Sequence, residues 1–231
     1  MADNNTPINL RIKFKKVGRL QYISHLDLVR TMHKVIIRSK LPLWFTEGFN
    51  PKPKMVFAAP LSIGTESYVE FMDLRLSEKI DPKAAVDALN RNLTDELYVL
   101  DAYYPETKLT DLRWMSYLMK INTTGASEEL AEKCNAAFAR ETVMVMKKKK
   151  KGVEELVDIK ALIKSVKVVF DGESLNVCAM LSADPSAFLN PENIIKYLRA
   201  ECGVLSSENI ISENYTIVRQ QAFFEDMTEF A

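Results

Sequence analysis

Cysteine, glycine and histidine are all scarce in this chain of 231 residues, with three, seven and two of each. Cys134, Cys178 and Cys202 stand 44 and 24 positions apart. That spacing builds neither a zinc site nor an iron–sulfur cluster, and an odd, sparse count suits a reducing cytoplasm. No Walker loop, dinucleotide glycine pattern or Gly-x-Ser-x-Gly elbow occurs. His25 and His33 have no close Cys or His partner in the sequence, so no metal site is expected. No apolar run approaches the roughly 18 residues of a membrane span. The opening MADNNTPINL lacks a basic stretch leading into an apolar one, which argues against a secretory signal. The expectation is a cytoplasmic chain with no cofactor of its own and no membrane contact.

The remaining composition is that of an ordinary globule, 47% hydrophobic and 27% charged, with 31 acids against 31 bases. This balance conceals a skew. Residues 1–64 hold eleven Lys and Arg against three acids, Asp3, Asp27 and Glu47. A compact basic segment inside a neutral chain points to an anionic partner. The plainer alternative is that the two halves of the chain attract each other.

Hydrophobic periodicity predicts an α+β fold. Residues 8–16 alternate, with Ile8, Leu10, Ile12 and Phe14 on one face and Asn9, Arg11, Lys13 and Lys15 on a basic outer face. Ser24 reads as the N-cap of a helix over 25–39, with Asp27 three positions on and an apolar stripe of Leu28, Val29, Met32, Val35 and Ile36. A loop at 47–54, an apolar run at 55–59 and a strand at 68–76 follow. Asp81-Pro82 opens a helix reaching about Asn92, and 97–103 closes the unit as a strand. This β-α-β-β-α-β order is the ferredoxin-like arrangement. A similar pattern follows Pro105. It has strands at 112–122 and 142–146 around a Ser127-capped helix at 128–139, then strands at 153–159, 166–170 and 174–181. A helix at 191–200 and a strand at 215–224 complete it. Two tandem ferredoxin-like units are expected, 1–106 and 107–231, with antiparallel or mixed sheets and helices packed on one face.

Candidate binding residues concentrate in the first unit. His25 opens the first helix, where free backbone amides favour an anion, and Lys15, Lys16 and Arg19 lie on the approach. Against this, Ser24 and Asp27 can satisfy those amides themselves. Arg30, Lys34 and Arg38 recur every four residues, with Lys40 just beyond. Such a ridge tracks nucleic-acid phosphates or is simply the solvated side of the helix. The loop 47–54 is stiffened by two prolines and carries Asn50, Lys52 and Lys54. If 43–46 forms the second strand, this loop lies near His25; if 55–59 does, it lies near Arg38 and Lys40. Phe49 is the aromatic most available for stacking on a base, whereas Trp44, Phe45, Tyr103 and Tyr104 suit a core. The lysine run 147–151 reads as a solvated hairpin tip or a second nucleic-acid patch.

Two phrases, RIKFKKVGRLQYISHLDLVRTMHKVIIRSKLP and FTEGFNPKPKMVFAAPLSIGTESYVEFMDLRL, carry a resemblance. Their Ser-His-Leu-Asp and Gly-Phe-Asn-Pro signatures resemble the bacterial DUF2344 family, radical-SAM-associated proteins of unknown function. Members occur alone or attached to the C-terminus of a B12-binding-type radical SAM protein. The family usually reads Gly-Phe-Asn-Pro-His-Pro, and Lys52 stands here in place of the histidine. A role needing an imidazole there is lost, while a role needing a positive donor survives. The resemblance implies a radical SAM partner. That partner must carry the iron–sulfur cluster, because three closely spaced cysteines are absent from this chain. The expected function is a non-catalytic module that binds tRNA or rRNA through its basic N-terminal surface and presents it to that enzyme. The alternative is a protein–protein adaptor that docks on the enzyme without nucleic acid. A third reading, metal-independent RNA processing with His25 as general base and Lys52 as charge stabiliser, rests on fold analogy.

Overall fold

The computed structural model describes residues 6–148, 154–207 and 213–231. It is a mixed α+β structure that divides into two compact units, residues 1–112 with 229–231, and residues 113–228. The boundary expected at 106 falls at Leu112, and a short C-terminal piece belongs to the first unit. Thr107 and Ala231 explain both shifts, since each bonds the side chain of Arg11.

In the first unit β1 (Ile8–Lys16) leads to α1 (His25–Arg38), β2 (Met55–Phe57), β3 (Thr65–Leu76), α2 (Pro82–Asn90) and β4 (Leu97–Tyr103). The strands pair antiparallel in the order β4-β1-β3-β2. α1 forms where expected. The Ser24 side chain accepts from the Asp27 amide, and Leu28, Met32, Val35 and Ile36 are buried at helical spacing. They join Leu10, Ile12 and Phe14 of β1, Ala85 and Leu89 of α2, and Leu97 and Val99 of β4 in one apolar core. Val29, expected in that stripe, is only half-buried. At Asp81 the carboxylate accepts from the Lys83 amide, and Pro82 opens α2. Both candidate second strands touch β3. Met55–Phe57 pairs with Met72–Leu74, while Leu43 makes an isolated bridge to Leu76.

The outer face of β1 departs from expectation. Arg11 is fully buried. Its Nε and one terminal nitrogen donate to the two Asp73 carboxylate oxygens at 2.8 and 3.2 Å. Thr107 and the Ala231 carbonyl accept its remaining bonds, and the guanidinium lies 5.0 Å from the Phe230 ring centroid. Beside it, the Lys13 ammonium donates to the Glu229 carboxylate at 2.9 Å. Alternation alone marks these positions as outward, but residues 229–231 return across this face and cover it.

The second unit contains β5 (Trp114–Asn122), α3 (Glu128–Ala139), β6 (Met144–Lys148), β7 (Glu154–Asp158), β8 (Ile163–Phe170), β9 (Leu175–Ser182), α4 (Glu192–Cys202) and β10 (Asn214–Phe223). Four of its strands pair antiparallel in the order β10-β5-β9-β8, and β6 with β7 forms a separate antiparallel ribbon. The expected lysine-rich tip of that ribbon lies mostly outside the described residues. Asn135 of α3 fastens the helix to β8, donating to the Val168 carbonyl and accepting from its amide. No described helix is long and apolar enough to cross a membrane.

Candidate functional site

α1 carries two adjoining side-chain rows on its free side. His25, Val29 and His33 are spaced by four, and Arg30 and Lys34 run alongside. At 3.6 residues per turn such rows stay on one face. Both rows line a cleft of about 660 Å³. The rest of the lining is Lys52, Pro53, Met55, Phe57 and Pro60.

The loop that brings Lys52 to the cleft is closed at its neck. The Thr46 amide donates to the Lys52 carbonyl at 2.9 Å, and the Lys52 amide donates to the Thr46 hydroxyl at 3.1 Å. Phe45 bridges Pro53, whose ring is buried. The Lys52 backbone is therefore fixed while its side chain is exposed. Phe57 links the cleft to the core. Its ring packs edge-on against buried Phe14 at 6.2 Å and against His25 at 5.4 Å. Phe49, at the far reach of the loop, is fully exposed.

Positive charge prevails around the cleft. Lys34 and Lys52 form no ion pair among the described residues. Arg30 reaches Asp27 at 3.4 Å with both side chains exposed, a pairing that contributes little in water. The Ser24 hydroxyl donates to the other Asp27 oxygen at 2.7 Å. That bond, together with Arg30, holds the Asp27 pKa below the ordinary carboxylate range. The His33 Nε2 atom is buried and has no hydrogen-bond partner among the described residues.

Of the sequence-predicted residues, His25, Arg30, Lys34 and Lys52 come together here. The others do not. Lys16 is buried, its ammonium donating to the Gln21 carbonyl at 3.3 Å, so it is withdrawn from any surface. Lys15 is half-buried over the Tyr98 ring. Arg19 pairs with Glu96 at 3.5 Å and lines a different cleft, of about 810 Å³, alongside Asp95 and Glu96. The expected cradle of Lys15, Lys16 and Arg19 around the start of α1 therefore does not form, and Ser24 and Asp27 occupy each other there. Arg38, Lys40, Asn50 and Lys54 are exposed but outside the cleft lining. His33, weighed from the sequence only as a metal ligand, and the apolar floor were not among the expected binding residues. The signal was available, because His33 follows His25 by eight positions with Val29 between them, a single helical row.

In the second unit, the Cys134 and Cys202 thiols are buried, free and hydrogen-bonded to each other. The bond from Cys134, aided by the nearby Lys133 ammonium, holds the Cys202 thiol below its ordinary range, while the same bond together with burial pushes the Cys134 thiol up. Cys178 is exposed on β9. Among the described residues no group of three His, Cys, Asp or Glu side chains is placed to hold a metal ion.

A family model described as "Uncharacterized protein conserved in bacteria (DUF2344)" matches residues 9–191. The chain belongs to this family. The DUF2344 match runs from β1 to the residue before α4 and takes in every side chain of the cleft. No curated protein matches the chain. Among solved structures, it is similar to a chain of "Crystal Structure of a Cbf5-Nop10-Gar1 Complex", with TM-score 0.52 and 12% identity. That likeness covers 94% of this chain and 50% of the other, so the present chain spans half the length of its neighbour. At this identity the likeness concerns the fold alone.

Proposed function

We propose that this chain is a non-catalytic RNA-binding module of a radical SAM system, and that it contacts RNA phosphates through the α1 cleft. The observation that carries the reading is the gathering of Lys34, Lys52 and loosely paired Arg30 around one cleft, free of acidic lining. Cations held beside a backbone-pinned loop lose little freedom on meeting a phosphate chain, and each phosphate neutralised releases counterions. The exposed Phe49 ring on the same loop adds a surface on which an unpaired base can stack. The reading of two ferredoxin-like βαββαβ units is supported by the strand order fourth-first-third-second in each, once the β6–β7 ribbon is set aside as an insertion. A sheet of this kind offers a rigid base for the α1 face. The radical SAM partner is what the family resemblance implies, and a cytoplasmic setting is supported by the odd, sparse cysteine count.

The test is RNA binding by the whole chain in low salt, using a mixture of tRNA and fragmented rRNA. Lys34→Glu with Lys52→Glu removes most of the affinity, while Lys83→Glu on α2 and Lys120→Glu on β5, both exposed, leave it nearly unchanged. Equal loss in the double variant and in both single controls, or no binding by the wild type, contradicts the proposal. An adaptor reading gains from a different surface. Tyr22, Leu26 and Ile63 are all largely exposed, and the Gly64 amide donating to the Gln21 carbonyl brings Ile63 beside Tyr22. Co-purification of a radical SAM protein that survives the double charge reversal but not Tyr22→Glu favours the adaptor.

A further inference from the structure

We propose that the α1 cleft accepts one unpaired nucleotide as a unit, with its phosphate between Lys34 and Lys52 and its base over the apolar floor. This inference rests on the RNA reading and narrows it to a substrate class. Three observations carry it. The first is size: about 660 Å³ lies within the roughly 300–1,000 Å³ of pockets that enclose a small organic ligand. A phosphate group alone would leave most of that space unfilled.

The second is the division of the lining. Half of it is apolar, namely Val29, Pro53, Met55, Phe57 and Pro60, while the cations belong to Arg30, Lys34 and Lys52. A site built only for phosphate gains nothing from five apolar neighbours. A nucleotide has one flat, largely apolar ring system and one anionic group, and so meets both. Duplex nucleic acid keeps its bases stacked inside, so the match is to a nucleotide whose base is free.

The third is hydrogen bonding. The buried Nε2 of His33 has no partner among the described residues, and leaving such a group unsatisfied is costly. As it stands this nitrogen is enclosed by protein, and a turn of the His33 ring brings it to the cleft, where a base edge, carrying both donors and acceptors, meets it in either tautomer. His25, held edge-on against Phe57 at 5.4 Å, presents a second ring at the same cleft.

The chain's only histidines are His25 and His33, so two sets of imidazole signals report on the site, and a His25→Gln variant assigns them. The experiment adds the four nucleoside 5′-monophosphates in turn to the full chain and follows both imidazoles by NMR. Ribose 5-phosphate and inorganic phosphate serve as comparison arms. The expected result is saturable movement of both imidazoles with at least one monophosphate, and at least tenfold weaker binding of ribose 5-phosphate and phosphate. Lys52→Glu weakens the nucleotide at least tenfold. His33→Phe, which keeps an apolar ring in the wall, lowers affinity with folding intact by circular dichroism. Equal binding of phosphate and nucleotide overturns the base-recognition part. If no monophosphate moves either imidazole while RNA still binds, the pocket assignment fails and the RNA reading stands. If a monophosphate binds but RNA does not displace it, the site serves free nucleotides and the RNA reading fails instead.

Discussion

Arg11 and Lys52 are both cations of the first fifty-odd residues, yet their surroundings give them opposite work. Arg11 is enclosed. Asp73 takes its fork, Thr107 and Ala231 take its remaining donors, and the Phe230 ring covers it. Removing one member of such a buried pair strands the other charge, at a cost of about 3–5 kcal/mol. Arg11→Ala is therefore expected to lower the urea midpoint of the whole chain sharply while leaving the α1 cleft chemically unchanged. Arg11→Lys recovers only part of the loss, since one ammonium cannot span two carboxylate oxygens and Thr107 together. An Arg11→Ala protein as stable as the wild type would show that the cluster contributes nothing to folding. Lys52, by contrast, is pinned by its backbone and free at its tip, the arrangement suited to meeting something from outside.

Elements defined by local rules were readable from the chain alone. Ser24, Asp81 and Ser127 cap α1, α2 and α3 as their chemistry dictates, and β4 occupies the alternating segment Leu97–Tyr103. Features that depend on distant residues were not readable. Arg11 reads as outward because its partners at 73, 107, 230 and 231 are remote in sequence. The cleft joins one helix face to a loop some twenty residues later, and helical periodicity describes only the first of these. The turn between β8 and β9 shows how much a local device can hold. The Asp171 carboxylate accepts from the Glu173 and Ser174 amides, the Ser174 hydroxyl and the Asn176 side chain, and these bonds, led by the Ser174 amide, hold its pKa far below 3.8. Because the folded-state pKa is depressed, the stability it contributes is fully present above pH 3.8 and is lost as the pH falls through the depressed value. Asp171→Ala is expected to lower the denaturation midpoint by a constant amount above pH 4, with the gap to wild type closing only in stronger acid. A gap that instead grows on acidification would assign the wrong role to this carboxylate.

For the whole molecule, the skew of charge toward residues 1–64 does not translate into one continuous basic surface. Folding buries Arg11 and Lys16, pairs Lys13 with Glu229 and Arg19 with Glu96, and leaves a smaller cationic group around α1 and Lys52. The functional account depends on that remainder. The most direct measurement is the salt dependence of RNA affinity for the wild type and for Lys34→Glu with Lys52→Glu. Single-stranded RNA contacts lower log K against log salt with a slope of about −0.7 per phosphate neutralised. A steep line is expected for the wild type and a slope shallower by about 0.7 for the double variant, the increment of the one phosphate that the two lysines share. Parallel lines for the two proteins, or a flat line for the wild type, would contradict it.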